Sequence, residues 1–553
     1  MSPSQTEYNL AQIHEAVEAV AGARPCIVAG SRTYTYSEIG DRTRRLANAL
    51  LERGFAAPVD RAELAGHESG QDHLAIYLHN GNEYLEAMLG AYKARVVPFN
   101  VNYRYVAEEL EYLLKDAGAK GIVYHSAFAP TLADIRSSLP GLTTLLQVRD
   151  DSGNELLDGA EWYEDVLAAA SPELPDGLAD SWSPDDLYLV YTGGTTGMPK
   201  GVMWRQGDIW PAALGGRKLG TSDEWTDLDE IVTAAANGGI KLMPLAPFMH
   251  AAAHWTAFNA FGGGHTVVLP NIVERLDPPD ALSTVQREGV NVMLIVGDAF
   301  ARPLLDELDA GDYDMSSLIM TVSGGAALSA GIKNRLLENV PTMMIMDGLG
   351  ASETGQQASQ IASAGQDAST GTFSPGPGMV ILSEDLSRTL EAGDEENGWL
   401  GQEGRVPLGY LGDEAKTART FPVIGGIRYA VPGDRARISA DGLLELFGRD
   451  SVTINSGGEK IFAEEVEAAL AAHPAVFDVV VCGRPSERWG NEVVAVVQLR
   501  EGVEVDVDDL QAEAERHVAR YKLPKAYVFR TQIQRSPSGK ADYRWAREQA
   551  ENG

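Results

Sequence analysis

Short apolar runs alternate with stretches of helical periodicity through most of this chain, and that alternation leaves few folds open. Leu74–Leu78, VVPFNV (Val96–Val101) and GIVYH (Gly121–His125) read as strands, with helices over Asn82–Tyr92 and Ala107–Ala117 between them. The pattern resumes as KLMPLAPF, a helix at Ala251–Phe261, HTVVLP, a helix at Pro279–Glu288, NVMLIVG, and LIMTVSGGAAL (Leu318–Leu328), a strand entering a glycine turn. Strands separated by helices of roughly 10 to 15 residues imply parallel sheets, hence an α/β fold. Asn9–Val20 reads as an amphipathic helix, Ala29–Tyr36 as a short hairpin, and Ser37 as a candidate N-cap of the next helix. Asp208–Gly239 reads as irregular. From Ser374 to Ala440, Gly, Pro and short β-like runs suggest a small barrel-like subdomain, and from about Gly448 the pattern turns α+β.

Composition removes several classes of function. With 79 acidic against 45 basic residues and a formal charge of −34, the chain has no basic surplus to displace counterions, so nucleic-acid binding is not expected. Neither of the two cysteines, Cys26 and Cys482, sits in a metal-ligand pair, and no disulfide framework can be built. The N-terminal segment has no basic region followed by an apolar run, and no apolar stretch of about 18 residues occurs. A reduced, cytoplasmic protein without an integral membrane segment is expected.

YTGGTTGMPKGV, Tyr191–Val202, follows an apolar strand and combines Gly193, Gly194, Gly197 and Gly201 with Thr192, Thr195, Thr196 and Lys200. Glycines let backbone N–H groups approach phosphate oxygens, threonines add donors, and lysine adds charge. Lys200 stands three residues beyond Gly197 and precedes a glycine, so the spacing is not that of the P-loop. The run before it, DDLYLVYT (Asp185–Thr192), reads as a buried strand, so the loop is expected to leave a sheet edge, where ligands of α/β proteins bind.

The string resembles the phosphate loop of the adenylate-forming superfamily of acyl-CoA synthetases, adenylation domains and luciferases. Further segments resemble that family in its order. In DGLGASETG the resemblance places Asp347, Gly348, Leu349, Gly350 and Ser352 along the nucleotide and gives Glu353, with Thr195, to Mg²⁺ on the ATP phosphates; Leu349 stands where an aromatic commonly stacks on adenine. Gly324, Gly325 and Ala326 of SGGAAL resemble the adenine-side turn. His250 of APFMHAAAHW would sit between acyl group, phosphate and thiol, with Ala251, Ala252 and Trp255 on the acyl pocket. Asp434 of VPGDRARI and Arg449 of GRDSV would bind the ribose, and Asp450 or Ser451 would be the hinge. Gly457, Gly458, Glu459 and Lys460 would face the site when the thioester forms, with Gly457 and Gly458 on the thiol tunnel and Lys460 on the nucleotide side. Lys540 of RSPSGKADYRWA is implied as the adenylation lysine, so Lys540, His250 and Glu353 form the expected catalytic set.

The fold implied is a large N-terminal domain (1–449) of stacked α/β subdomains, with the barrel-like part at 374–449, and a smaller mobile α+β domain (450–553). The activity implied is acid–CoA ligation using ATP, Mg²⁺ and CoA. NVNYRY, VMWRQGDIW and MHAAAHW resemble actinobacterial-type synthetases acting on lipids, and Gly and Ala at the acyl site suit a roomy pocket, so a medium or long fatty acid or a steroid side-chain carboxylate is the expected acid. A carrier-loading adenylation enzyme, a luciferase-like oxygenase and a non-catalytic nucleotide-binding protein are the alternatives. A small carboxylic acid and CoA are the expected partners, with a homodimer left open.

Overall fold

The computed structural model describes residues 7–552 apart from 195–196, 219, 367, 457–458, 487–488 and 536–538. Two parallel sheets form the frame. One runs Val97–Asn100, His73–Tyr77, Ala119–His125, Thr144–Val148, Glu161–Trp162, every neighbour parallel. The parallel centre of the other runs Pro25–Ala29, Thr266–Leu269, Lys241–Pro244, Val292–Ile295, Met320–Gly324, Met344–Ala351. Their strands are almost wholly apolar, as expected where helices cover both faces.

The strands expected as a barrel-like subdomain pair antiparallel and continue the second sheet through Gly355–Ser363 and Thr372–Pro375 into Leu444–Arg449, Asp434–Ile438 and Gly398–Glu403. They enclose a core of their own with Phe373, Ile381, Leu400, Ala436 and Leu444. The C-terminal segment builds a separate sheet of Ile454–Ser456, Glu459–Ile461, Val476–Ser486, Gly490–Leu499 and Ala526–Phe529, packed by helices Ala463–Ala471 and Tyr543–Asn552.

Three local readings change. The hairpin Pro25–Ala29/Arg32–Thr35 forms, but the following helix, Tyr36–Glu52, is capped by Thr35 rather than Ser37. Thr35 Oγ1 accepts the Glu38 N–H at 3.2 Å and the Glu38 carboxylate takes the Thr35 N–H at 2.7 Å, a reciprocal capping box. The stretch read as irregular holds helices Gln206–Ala213 and Leu228–Ala236; Asp227 caps the second through the Glu230 N–H, with Ile231 and Ala235 buried beneath, and much of the Gly and Asp lies in the loop between the two. The third concerns the phosphate-loop candidate itself.

Leu187–Gly194 does not join a parallel sheet. It pairs antiparallel with Gly197–Arg205, and Gly409–Tyr410 adds a third strand. Tyr188, Val190, Val202 and Trp204 face one hydrophobic core while Leu187, Leu189, Tyr191 and Met203 face another. A hairpin buried on both faces has the continuous apolar look of a parallel strand, which is why its pairing is not legible in sequence. Among the described residues no helix is long and apolar enough to cross a membrane, and Cys26 and Cys482 are free and buried.

Candidate active site

The glycine-rich stretch is the tip of that hairpin. Thr192 lies opposite Lys200 and Gly194 opposite Gly197, while Thr195 and Thr196 lie outside the described residues. Lys200 Nζ bonds Asp413 Oδ2 at 2.8 Å, and the other oxygen of Asp413 caps helix Glu414–Thr420 through the Lys416 N–H at 2.9 Å. The third strand brings Tyr410 beside the base of the hairpin, where its hydroxyl donates to Glu353 Oε1 at 2.8 Å.

Glu353 sits in the turn between Met344–Ala351 and Gly355–Ser363 and is only 9% exposed, so it is not a solvated turn carboxylate. The turn is fixed from two sides: Trp204 Nε1 donates to the Ser352 carbonyl at 2.8 Å, and Thr354 Oγ1 accepts the Ala351 N–H at 3.0 Å. Upstream, Gly348 lies in register with Gly324 at the end of Met320–Gly324, and Gly325 and Ala326 follow at the same sheet edge. Gly350 continues the same strand, and Leu349 packs toward the core of the antiparallel arm. Asp347 differs from expectation. Its carboxylate points inward to Lys333, with Nζ–Oδ2 2.7 Å and both side chains buried. The Lys333 ammonium is completed by Gln360 and the Ser369 carbonyl. This buried ion pair commits the Asp347 side chain to anchoring its strand.

On the opposite wall Asp434 and Arg449 are register partners on adjacent strands, with Arg449 Nε 3.3 Å from Asp434 Oδ1. Asp434 beside it, together with Glu353, pushes the Arg449 guanidinium further up its already high range. Lys540 enters from the C-terminal domain and faces Arg449, Glu353 and Asp434. The preceding Gly539, at φ +74°, rests on Val296 and Ala299 at the end of Val292–Ile295; a side chain there would be strained and crowded. Lys540 is exposed at its tip; the protein packed around its base lowers the ammonium pKa, and Arg449 lowers it further, while Glu353 and Asp434 hold it up.

His250 is the N-cap residue of helix Ala251–Gly262, but its ring makes no cap bond and Nε2 is buried without a partner. Burial, then the nearby Lys540, His254 and Arg104, depress its pKa to about 3, so the imidazole is neutral. One turn along, His254 is held between Tyr84 and Tyr188 hydroxyls at 3.2 and 3.1 Å, as a structural histidine. Ala251, Ala252 and Trp255 are half-buried on the same helix, against the main core.

Not every expected residue is gathered here. Lys460 lies on the surface, 3.8 Å from Glu384, and Gly457 and Gly458 fall outside the described residues. At the expected hinge position, Asp450 Oδ1 takes a bond from Arg435 Nε at 2.9 Å while Ser451 is exposed. Sequence reasoning missed Tyr410, Asp413 and Lys333. For Tyr410 and Asp413 the available signal was the Gly-Tyr-x-Gly-Asp cluster inside a stretch read only as β; for Lys333, an ordinary helix lysine, there was none. Elsewhere, His14, Glu15 and Glu18 lie close together, but Arg44 pairs with both carboxylates, at 3.0 and 2.8 Å, so they are not set up for a cation.

A family model described as AMP-binding enzyme matches residues 14–404, and its C-terminal domain model matches residues 465–540. The chain belongs to the AMP-binding enzyme family. It is 55% identical over 554 residues to the medium-chain acyl-CoA ligase Mig of Mycobacterium avium, covering all of both chains. It is 39% identical to a 3-oxocholest-4-en-26-oate–CoA ligase of Rhodococcus rhodochrous, over 98% of this chain and 96% of that one. Its fold is similar to that of the anthranilate CoA ligase AuaEII in complex with anthranoyl-AMP (TM-score 0.81, 23% identity, 99% and 98% coverage) and of ATP-bound MatB from Rhodopseudomonas palustris (TM-score 0.79, 22% identity, 98% and 99% coverage). This AMP-binding enzyme is an AMP-forming acid–CoA ligase that uses ATP, CoA and a small carboxylic acid.

Proposed function

We propose that the cleft between the Glu353 turn and the Asp434–Arg449 pair binds ATP, and that Lys540 joins its α-phosphate to the substrate carboxylate. The observation that carries this is Lys540, supplied by the C-terminal domain, standing opposite Glu353, Asp434 and Arg449 from three separate strand ends. The carboxylate oxygen attacks the α-phosphorus, the bond to the β-phosphate breaks, and pyrophosphate leaves. A fixed ammonium beside the reacting groups offsets their mutual repulsion and the charge gathering in the transition state. Asp434 accepts the ribose hydroxyls with Arg449 beside it, and the hairpin at Thr192–Lys200 wraps the outer phosphates. Glu353, a carboxylate donor fixed by Tyr410, suits the hard cation Mg²⁺. When bound with the triphosphate, that ion neutralises phosphate charge.

The CoA thiolate then attacks the acyl carbon and AMP leaves, the thiol proton passing to solvent. Lys540 faces Glu353, Asp434 and Arg449 in this arrangement while Lys460 lies beside Glu384, so a swing of the C-terminal domain about Asp450–Ser451 would exchange the two. His250, neutral and beside Lys540, adds no positive charge to the site and presents a polar ring between acyl group and thiol.

The acid is a medium- or long-chain fatty acid or a steroid side-chain carboxylate; the names of the relatives and the small residues on helix Ala251–Gly262 support this. The test is Lys540→Ala assayed in two halves with acids of each class. Pyrophosphate release should be abolished, while thioester formation from supplied acyl-adenylate is retained. Equal loss of both halves would refute the alternation, and wild-type activity confined to acetate or benzoate would refute the substrate class.

A further inference from the structure

A carboxyl group is folded into the seam between the two domains. Glu464 lies in the first turn of helix Ala463–Ala471, and its carboxyl rests against the backbone of Gly448 and Arg449, the last residues of strand Leu444–Arg449. Gly448, at φ +115°, leaves the room: a Cβ there would fill the space the carboxyl occupies. Beside it the Phe447 and Phe462 rings stack across the same seam, centroids 5.5 Å apart.

The carboxyl is poorly compensated. Oε1 is 3.4 Å from the Arg449 N–H, longer than an ordinary bond, and Oε2 is buried without a partner. The Arg449 guanidinium, a cation that faces it, is paired with Asp434, whose own charge also faces Glu464. On its own helix Glu464 faces Glu467, also enclosed. Glu467 accepts the Val481 N–H at 2.8 Å and is faced by Asp478, Arg535 and Tyr543 from the elements packed on that side. Two neighbouring carboxyls with one shared surplus of negative charge cannot both ionise cheaply. Burial, the largest cause, together with Asp434, raises Glu464 to about 7; burial and Glu464 raise Glu467 to about 8.

We propose that Glu464 is a positioning residue for adenylate formation: as the neutral acid it holds the C-terminal domain where Lys540 reaches the cleft, and its ionisation favours the swing to the thioester-forming arrangement. This rests on the domain alternation proposed above, in which helix Ala463–Ala471 leaves strand Leu444–Arg449 and the carboxyl returns to water. The seated arrangement therefore binds one proton more than the rotated one between about pH 4.5 and about pH 7. Its advantage is full at the acid end of that window and is lost as pH rises through about 7.

The two half-reactions of the full-length enzyme, measured as single turnovers from about pH 6 to about pH 8, give the test. The ratio of adenylation to thioester formation should fall about tenfold more in the wild type than in Glu464→Gln, whose neutral amide mimics the protonated acid; ionisation of the CoA thiol affects both alike and cancels. Glu464→Ala, which opens the seam and has nothing to ionise, should slow adenylation at about pH 6, where the wild-type acid is neutral, and leave thioester formation from supplied adenylate intact. Parallel profiles for wild type and Glu464→Gln would overturn the proposal. If Lys540→Ala abolishes both halves equally, it is the alternation that has failed; if Lys540→Ala behaves as expected while the profiles stay parallel, only the role of Glu464 is lost.

Discussion

Tyr410→Phe isolates the one described hydrogen bond that orients Glu353. The ring has its own reasons to stay in place: Phe421 packs at 5.6 Å between centroids and Lys416 Nζ lies 4.1 Å above it, and phenylalanine keeps both contacts. What is lost is the 2.8 Å bond from the hydroxyl to Glu353 Oε1. A hydrogen bond to a charged acceptor contributes roughly 1.5–3 kcal/mol. If that orientation is needed only while the adenylate forms, the rate of that step falls by about one to two orders of magnitude, since ~1.4 kcal/mol is tenfold. Burial and the Glu353 charge push the phenol above its usual range, so it remains a protonated donor at working pH and the loss should not vary with pH. ATP–pyrophosphate exchange measures the step, and thioester formation from supplied acyl-adenylate is the control. Exchange within about twofold of the wild type would show that Tyr410 does not hold Glu353 in the reacting enzyme, and would remove the reason for treating that carboxylate as preorganised.

Two further outcomes follow from buried polar groups. Lys333→Met should lower stability by about 3–5 kcal/mol, because Asp347 is left buried and unpaired, and Lys333→Met with Asp347→Leu should recover much of the loss in a denaturant titration. His254, whose pKa burial lowers to about 4, stays neutral between its two tyrosines, so its stabilising contribution is complete above about pH 6.5 and is lost as pH falls toward 4, at ~1.4 kcal/mol per pH unit. Melting scans should show that acid sensitivity reduced in His254→Gln.

The proposed site was nameable from sequence because the chemistry it calls for is local. The glycines and threonines of Tyr191–Val202, the Gly-Ala-Ser-Glu turn at Glu353, Gly433-Asp434 and the Ser-Gly-Lys at Lys540 are contiguous strings of small, polar and charged residues that a hydrophobic core does not call for. The alternation of strand and helix patterns likewise follows from which side chains must leave water, and it fixed the parallel frame.

What sequence could not supply was direction and partnership between distant segments. The two-faced burial of Leu187–Arg205 hid an antiparallel hairpin inside a parallel-looking run, because period and composition do not distinguish a strand buried between two cores from one flanked by helices. Asp347, in the motif, turns inward to Lys333, whereas Tyr410, 57 residues away from Glu353, turns toward it. Glu464 in sequence is one acidic residue among several at a helix start; only packing against Gly448, more than a dozen residues upstream, makes it a half-buried acid with one oxygen cut off from water. Local pattern decides what a segment is, since it depends on the residues' own solvation and backbone freedom. Which charges face one another is set by the tertiary path, because burial and Coulomb energy depend on distances that no spacing along the chain encodes.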